Sequence, residues 1–197
     1  VDGMIAPDRI IDAIDERTRM VSLSSVTFAP GLVTDVAPIG AACRDQDVLL
    51  LVDAVQSVGV LHTDVKAMGV DALAVSTQKG LLGLYGFGFL YVDKVQAERL
   101  EPAYLARFGV DLGDAHEASL GEQDYRFAPG ARRFDLGNYN YVGAYAARSS
   151  LEQLLALGSE EIDAYVSGLA NELAGGLKNC NLPFEVSDPG EAIGNIV

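Results

Sequence analysis

Basic residues are scarce in this chain: 14 Lys and Arg stand against 28 Asp and Glu, giving a formal net charge of -14. Nucleic acid has to be met by a Lys/Arg-rich face, and an anionic membrane surface makes the same demand, so the balance argues against both as partners. Cysteine is nearly absent. Cys43 and Cys180 stand far apart without metal-ligand spacing and read as reduced packing residues of a cytoplasmic protein, with no disulfide between them. Histidine is equally rare, and His62 and His116 have no metal or triad partner at useful spacing, so no metal site is expected. Long apolar runs are missing too: the longest are strand-sized, and no basic segment followed by an apolar block suggests export.

What is present is apolar residue in short, patterned runs. At 197 residues with 49% hydrophobic content, the chain can bury a sizeable core in one domain or slightly more. Helical spacing of Ile10, Ile11 and Ile14 predicts a helix from Pro7 to Arg19, followed by a strand from Val21 to Val26. Asp35 is placed to cap a helix reaching Arg44, the run Val48–Val52 predicts a strand closed by Asp53, and a short helix is expected around Val65–Met68. Two more strands follow, one over 71–76 and one from Gly86 to Val92. Strand-helix-strand alternation predicts parallel pairing with right-handed crossovers.

Residues 94–137 show no clean period and are expected to be an irregular connection. A helix from Tyr141 to Leu157 presents Ala144, Leu151, Leu154 and Leu155 on one face. Ser159 is placed to cap the next helix, where Val166, Leu169, Leu173 and Leu177 recur to Lys178, and Phe184-Glu185-Val186 reads as strand. The predicted division is 1–137, part of a larger α/β domain, and 138–197, a linking helix and the start of a smaller one. The chain begins inside a strand-to-helix connection and stops at what reads as the opening of a strand, so a longer protein is expected.

Two residues carry the chemistry. Asp53 and Lys79 each follow a buried-type strand, and the C-terminal ends of such strands are where α/β proteins bind ligands. A carboxylate and an amine brought together there are costly to desolvate and call for a ligand that uses both. Pyridoxal 5'-phosphate is such a ligand. Its aldehyde is held as an imine (Schiff base) by a lysine amine, the role read for Lys79, and its ring nitrogen stays protonated against a buried carboxylate, the role read for Asp53.

The segment Val52-Asp53-Ala54-Val55-Gln56-Ser57, then Ser76-Thr77-Gln78-Lys79, then Leu81-Leu82-Gly83 through Gly86-Phe87-Gly88-Phe89-Leu90-Tyr91, resembles the class V aminotransferase group of fold-type I enzymes. That group includes cysteine desulfurases, serine-glyoxylate-type aminotransferases and isopenicillin-epimerase-like proteins. Arg133-Phe134-Asp135-Leu136-Gly137-Asn138 is similar to a later element of the same family. The resemblance implies a three-layer αβα fold with a mostly parallel sheet and a pyridoxal-phosphate enzyme acting on amino acids by transamination or elimination. Lys79 would be the imine lysine and Asp53 the partner of the ring nitrogen. Gln56 would bond the ring hydroxyl oxygen, and Ser76 and Gln78 the phosphate. Asn138 would reach the phosphate of a neighbouring subunit, which implies a homodimer with shared sites.

The sequence also departs from that pattern. Gln78 stands where histidine is usual, Phe28 where desulfurases carry asparagine, and Leu84 where proline is common. The upstream phosphate-binding turn, the residue stacked on the ring and the downstream carboxylate-binding arginine have no counterpart here; the chain taken alone is therefore expected to bind the cofactor poorly. Each residue also has an ordinary reading. Asp53 could cap the following turn, Lys79 could be a solvated loop lysine, Gln56 and Ser76 could bond turns, and Gly83, Gly86 and Gly88 could relieve a tight one. Arg132 and Arg133 read as a surface pair. A non-catalytic α/β scaffold or dimerisation domain stands as the rival to the enzyme.

Overall fold

A computed structural model of the chain describes residues 6–113, 125–180, 182 and 193–197. The expected strand at Phe184-Glu185-Val186 and His116 lie outside them. At the centre is a four-stranded sheet in the order β1 (Met20–Ser24), β2 (Leu49–Asp53), β3 (Ala72–Ser76), β4 (Gly88–Val92). β1, β2 and β3 run parallel, with Ser24 opposite Asp53 and Asp53 opposite Ala74. This mixed α/β architecture with a mostly parallel sheet agrees with the fold class read from the sequence.

β4 departs from that reading. It pairs antiparallel to β3, with Ser76 opposite Gly88. The reason is its connection: residues 77–87 form a loop with no helix, and a parallel return needs a crossover long enough to recross the sheet.

The core forms around β2 and β3 against α2 (Val36–Asp45). Ile39, Leu50 and Val52 have no exposed surface, and Cys43, Val48, Leu73, Val75 and Leu81 join them. Burying each Leu, Ile or Val contributes on the order of 1.5–3 kcal/mol, which is why alternating buried residues fix the register here. Asp35 occupies the N-cap position of α2, although its side chain makes no capping bond.

Three helix boundaries differ from expectation, each for a local reason. α1 is only Pro7–Ile11. Beyond it the Asp15 carboxylate accepts from the backbone N–H groups of Arg17 and Thr18 at 3.0 and 3.1 Å, which closes a side-chain turn in place of further helix. Residues 65–69 form a single turn, because Asp64 takes the N–H groups of Lys66 and Ala67 and Gly69 then enters the left-handed region. α3 (Lys94–Arg99) lies inside the region expected to be irregular; the Asp93 side chain caps it by accepting from Val95 N–H at 2.9 Å, and Ala97 is buried.

Among its described residues, the later part of that region packs around Arg133. It is buried, not a surface arginine: its guanidinium pairs with Glu98 and donates to the Ala128 carbonyl at 3.2 Å, with the ring of Phe127 beneath it. The N–H of Gly130 on the Glu98 carboxylate, with Arg133 beside it, holds Glu98 below the usual carboxylate range. Short strands β5 (Val110–Asp111) and β6 (Arg126–Phe127) pair antiparallel next to it.

α4 (Tyr141–Leu157) has the predicted bounds and an Asn140 N-cap that accepts from Gly143 N–H at 2.9 Å. Its inward stripe is Gly143, Ala147, Leu151 and Leu154, while Leu155 is 75% exposed, so the apolar face was read one position too wide. α5 (Ser159–Lys178) begins at the residue expected to cap it, with Gly158 in the capping position. It buries Ala170 and Ala174 and leaves Leu169 and Leu173 about half exposed.

Candidate functional site

The parallel strands β2 and β3 end side by side, and the candidate residues follow those ends. Asp53 is the last residue of β2, and Ser76 the last of β3. Gln56 is half-buried in the turn after β2, and Gln78 and Lys79 lie in the turn after β3. The structure therefore gathers five of the six residues at one end of the sheet. Asn138 sits elsewhere in the chain, exposed and in a left-handed conformation (φ 54°) between the Arg133 segment and α4.

Asp53 is anchored from below. Its backbone carbonyl accepts from Ser25 N–H at 3.0 Å and from the Ser25 hydroxyl at 3.3 Å, and that hydroxyl lies 2.7 Å from the hydroxyl of Ser57. Both serines are about 95% buried, so this pair fixes the end of β2 against the turn that carries Gln56. The Asp53 carboxylate itself is exposed, not buried as the sequence suggested, because the strand reaches the surface at this residue. One of its oxygens accepts from Val55 N–H at 3.0 Å, which is the ordinary turn-closing role. The other oxygen is not used in that bond.

Thr77 was missed in the sequence reading, and it organises the lysine turn. It has no exposed surface. Its hydroxyl lies 3.0 Å from the carbonyl oxygens of both Leu84 and Phe87, its N–H donates to Phe87, and its own carbonyl accepts from Gly83 N–H at 2.7 Å. A Cβ at Gly83 would come within 2.8 Å of the Thr77 Cβ, and one at Gly88 within 2.5 Å of the Val75 carbonyl oxygen. These two glycines serve close packing rather than the relief of a tight turn; of Gly83, Gly86 and Gly88, only Gly86 has a positive φ, 78°. A buried hydroxyl bracketed by two motif serine- and glutamine-type positions was the available signal. Ser76 and Gln78 on either side hydrogen-bond each other through Oγ and Oε1.

Lys79 is exposed and projects over the ring of Phe28, 5.9 Å from its centroid. It does not pair with Asp53 or, among the described residues, with any other carboxylate. An amine and a carboxylate left apart at neighbouring strand ends can be bridged by a planar ligand, and a hydroxyl and an amide beside the amine suit an anionic group on it. Those donor types fit pyridoxal phosphate.

Elsewhere the chemistry is quiet. Burial, with Asp71 nearby, raises the Cys43 thiol above its ordinary range, which makes it a packing residue; Cys180 is exposed at the end of α5. His62 is exposed, its ring 2.8 Å from the Ser159 hydroxyl and its N–H on Asp163. A cleft of about 770 Å³ lies beside β1 between Leu23, Ser57, Leu61 and Met68. It contains neither Lys79 nor Asp53 and is mostly apolar, so we place the candidate site at the strand ends.

The sheet and the residues that follow its strand ends make this a mixed α/β protein with a mostly parallel sheet. Residues 1–192 match the Aminotransferase class-V family, and the chain belongs to it. A probable cysteine desulfurase of Methanothermobacter thermautotrophicus is 34% identical over 171 residues, 87% of this chain and 41% of that protein. The uncharacterized aminotransferase YcbU of Bacillus subtilis is 35% identical, over 84% of this chain and 42% of its own length. The chain thus spans about two-fifths of the curated relatives it matches. Among solved structures, the apo cysteine desulfurase of Thermococcus onnurineus superposes with a TM-score of 0.82 at 23% identity, over 98% of this chain and 46% of that one. The cystine C-S lyase C-DES, solved with its product cysteine persulfide, gives 0.79 at 26% identity over 94% and 49%. A lysine-to-alanine mutant of C-DES carries glycine covalently linked to its PLP cofactor.

Proposed function

We propose that the chain carries the lysine side of a pyridoxal-phosphate site in an enzyme that transforms amino acids. The observation that carries the reading is Lys79 and Asp53 on adjacent parallel strand ends, each without an ionic partner in the other. Family membership and the PLP-linked relative support it. When bound, the cofactor supplies an electron sink for charge developed at the substrate α-carbon. Asp53, through the carboxylate oxygen not used by Val55, would hold a proton on the ring nitrogen. Lys79 would supply the amine that takes the aldehyde and later receives the α-proton at Nζ. Ser76 and Gln78 would exchange their mutual bond for the phosphate, and Gln56 would bond the ring hydroxyl oxygen. Asn138, outside this cluster, would act on the phosphate of a second subunit in a homodimer.

The same reading assigns residues 1–137 to the cofactor domain and 138–197 to the linking helix and the start of a smaller domain. The relatives' names point to sulfur-containing amino acids as the substrate class. Neither cysteine lends support to a sulfur-accepting role: Cys43 is buried, and Cys180 follows the end of α5. Two separate, unpaired cysteines suit a cytoplasmic setting.

The test is optical. Added pyridoxal phosphate should produce a visible band that borohydride abolishes while fixing the cofactor on a lysine. A protein of its relatives' full length, carrying this chain, that stays colourless under saturating cofactor supports the scaffold reading instead.

A further inference from the structure

Lys79 is a cation in a chain of net charge -14, yet among the described residues its ammonium faces an aromatic ring and no carboxylate. That ring belongs to Phe28, which is 77% exposed and buries little of itself in the fold. Exposed rings occur elsewhere on the surface, but this one stands against the lysine ammonium. The turn beneath it is clamped. Thr27 N–H donates to the Leu32 carbonyl at 3.0 Å, Leu32 N–H returns to the Thr27 hydroxyl at 3.1 Å, and Val26 bridges Val33. Gly31 is held in place as well, its carbonyl taking the N–H of Gly194 at 3.0 Å. The ring is therefore presented to Lys79 by a fixed turn.

We propose that Phe28 is a positioning residue for Lys79: its ring face holds the ammonium form of Nζ at the strand ends and releases it when the amine is captured by an aldehyde. The attraction is between a full positive charge and the negative face of the ring, so it acts on the ammonium and not on the neutral amine. Capture requires the ammonium to lose its proton to solvent; the Nζ lone pair then attacks the carbonyl carbon, and the oxygen departs as water. The ring contact has to be given up before Nζ can attack. This proposal deepens the assignment of Lys79 as the reactive amine, but its test needs no pyridoxal phosphate.

The purified chain, without added cofactor, is treated with formaldehyde and cyanoborohydride, which supplies the hydride that reduces the captured carbon. Methylation at Lys79 is counted against exposed Lys94 by peptide mass spectrometry. In Phe28→Leu, Lys79 should be methylated about two- to fivefold faster relative to Lys94, the range set by one exposed cation–π contact. Phe28→Tyr should restore the slow rate, which a merely structural role for residue 28 would not require. Equal rates in wild type and Phe28→Leu overturn the proposal, as does a Phe28→Tyr protein that behaves like the leucine variant. Failure of the cofactor assignment looks different: the formaldehyde result stands, but pyridoxal phosphate leaves no adduct on Lys79.

Discussion

Thr77→Val is the change that probes the lysine turn most cleanly. Valine keeps the β-branch and nearly the shape of a residue with no exposed surface, so the backbone and rotamer preferences are retained. What disappears is one hydroxyl placed 3.0 Å from the carbonyl oxygens of Leu84 and Phe87. The Phe87 carbonyl keeps the Thr77 N–H at 3.1 Å, so the loss falls mainly on Leu84. Because Leu84 is about half exposed, water can replace much of that bond, and the loss should cost about 0.5–1.5 kcal/mol. The consequence should be confined to residues 77–88, since the bonds joining β1, β2 and β3 are untouched. Urea unfolding of wild type and variant measures the cost, and amide hydrogen exchange locates it, with Gly83 N–H expected to lose protection first because it donates to the Thr77 carbonyl. An unchanged unfolding midpoint together with unchanged exchange over 77–88 would refute the claim that this hydroxyl organises the turn.

Other outcomes follow from the same contacts. Ser57→Ala removes one member of the buried serine pair but leaves the Ser25 bonds to the Asp53 carbonyl, so it should cost about 1 kcal/mol in a denaturation curve. Arg133→Ala takes a buried guanidinium from Glu98 and the Ala128 carbonyl and should destabilise the protein by about 2–4 kcal/mol, read from the same curves; a cost below 1 kcal/mol contradicts the role given to it. Glu98 is held below its unfolded value, so its contribution is complete above the ordinary carboxylate range and is lost as pH falls through the lowered value. Glu98→Gln should accordingly flatten the acid limb of the stability-versus-pH curve. Arg148→Ala breaks an exposed pair with Glu152 one helical turn away and should leave the urea midpoint unchanged within error.

Much of this was legible in the sequence wherever one local signal acted alone. The apolar runs ending in Asp53 and Ser76 located the central strands, and Gly158 marked the end of α4, because burial and chain termination depend on near neighbours. The antiparallel turn of β4 was not legible from its apolar residues, which read alike in either direction; only the helix-free 77–87 connection held the information. α1 was overextended because Ile14 keeps helical spacing and still packs on the core from a turn built by Asp15. α3 was lost because its single buried residue, Ala97, makes no pattern. At the site, the strand-end placement of Asp53 and Lys79 followed from chain order. The Ser25–Ser57 pair, 32 residues apart in sequence, and the Phe28 ring beneath Lys79 arise only from folding.

The most direct trial of the account is a crystal structure of the protein grown with pyridoxal phosphate. It should show the Asp53 carboxylate within about 3 Å of the ring nitrogen and Lys79 Nζ bonded at the aldehyde carbon on the opposite side of the ring. A ring bound away from these two strand ends, or one whose nitrogen faces solvent while Asp53 keeps only Val55, would contradict it.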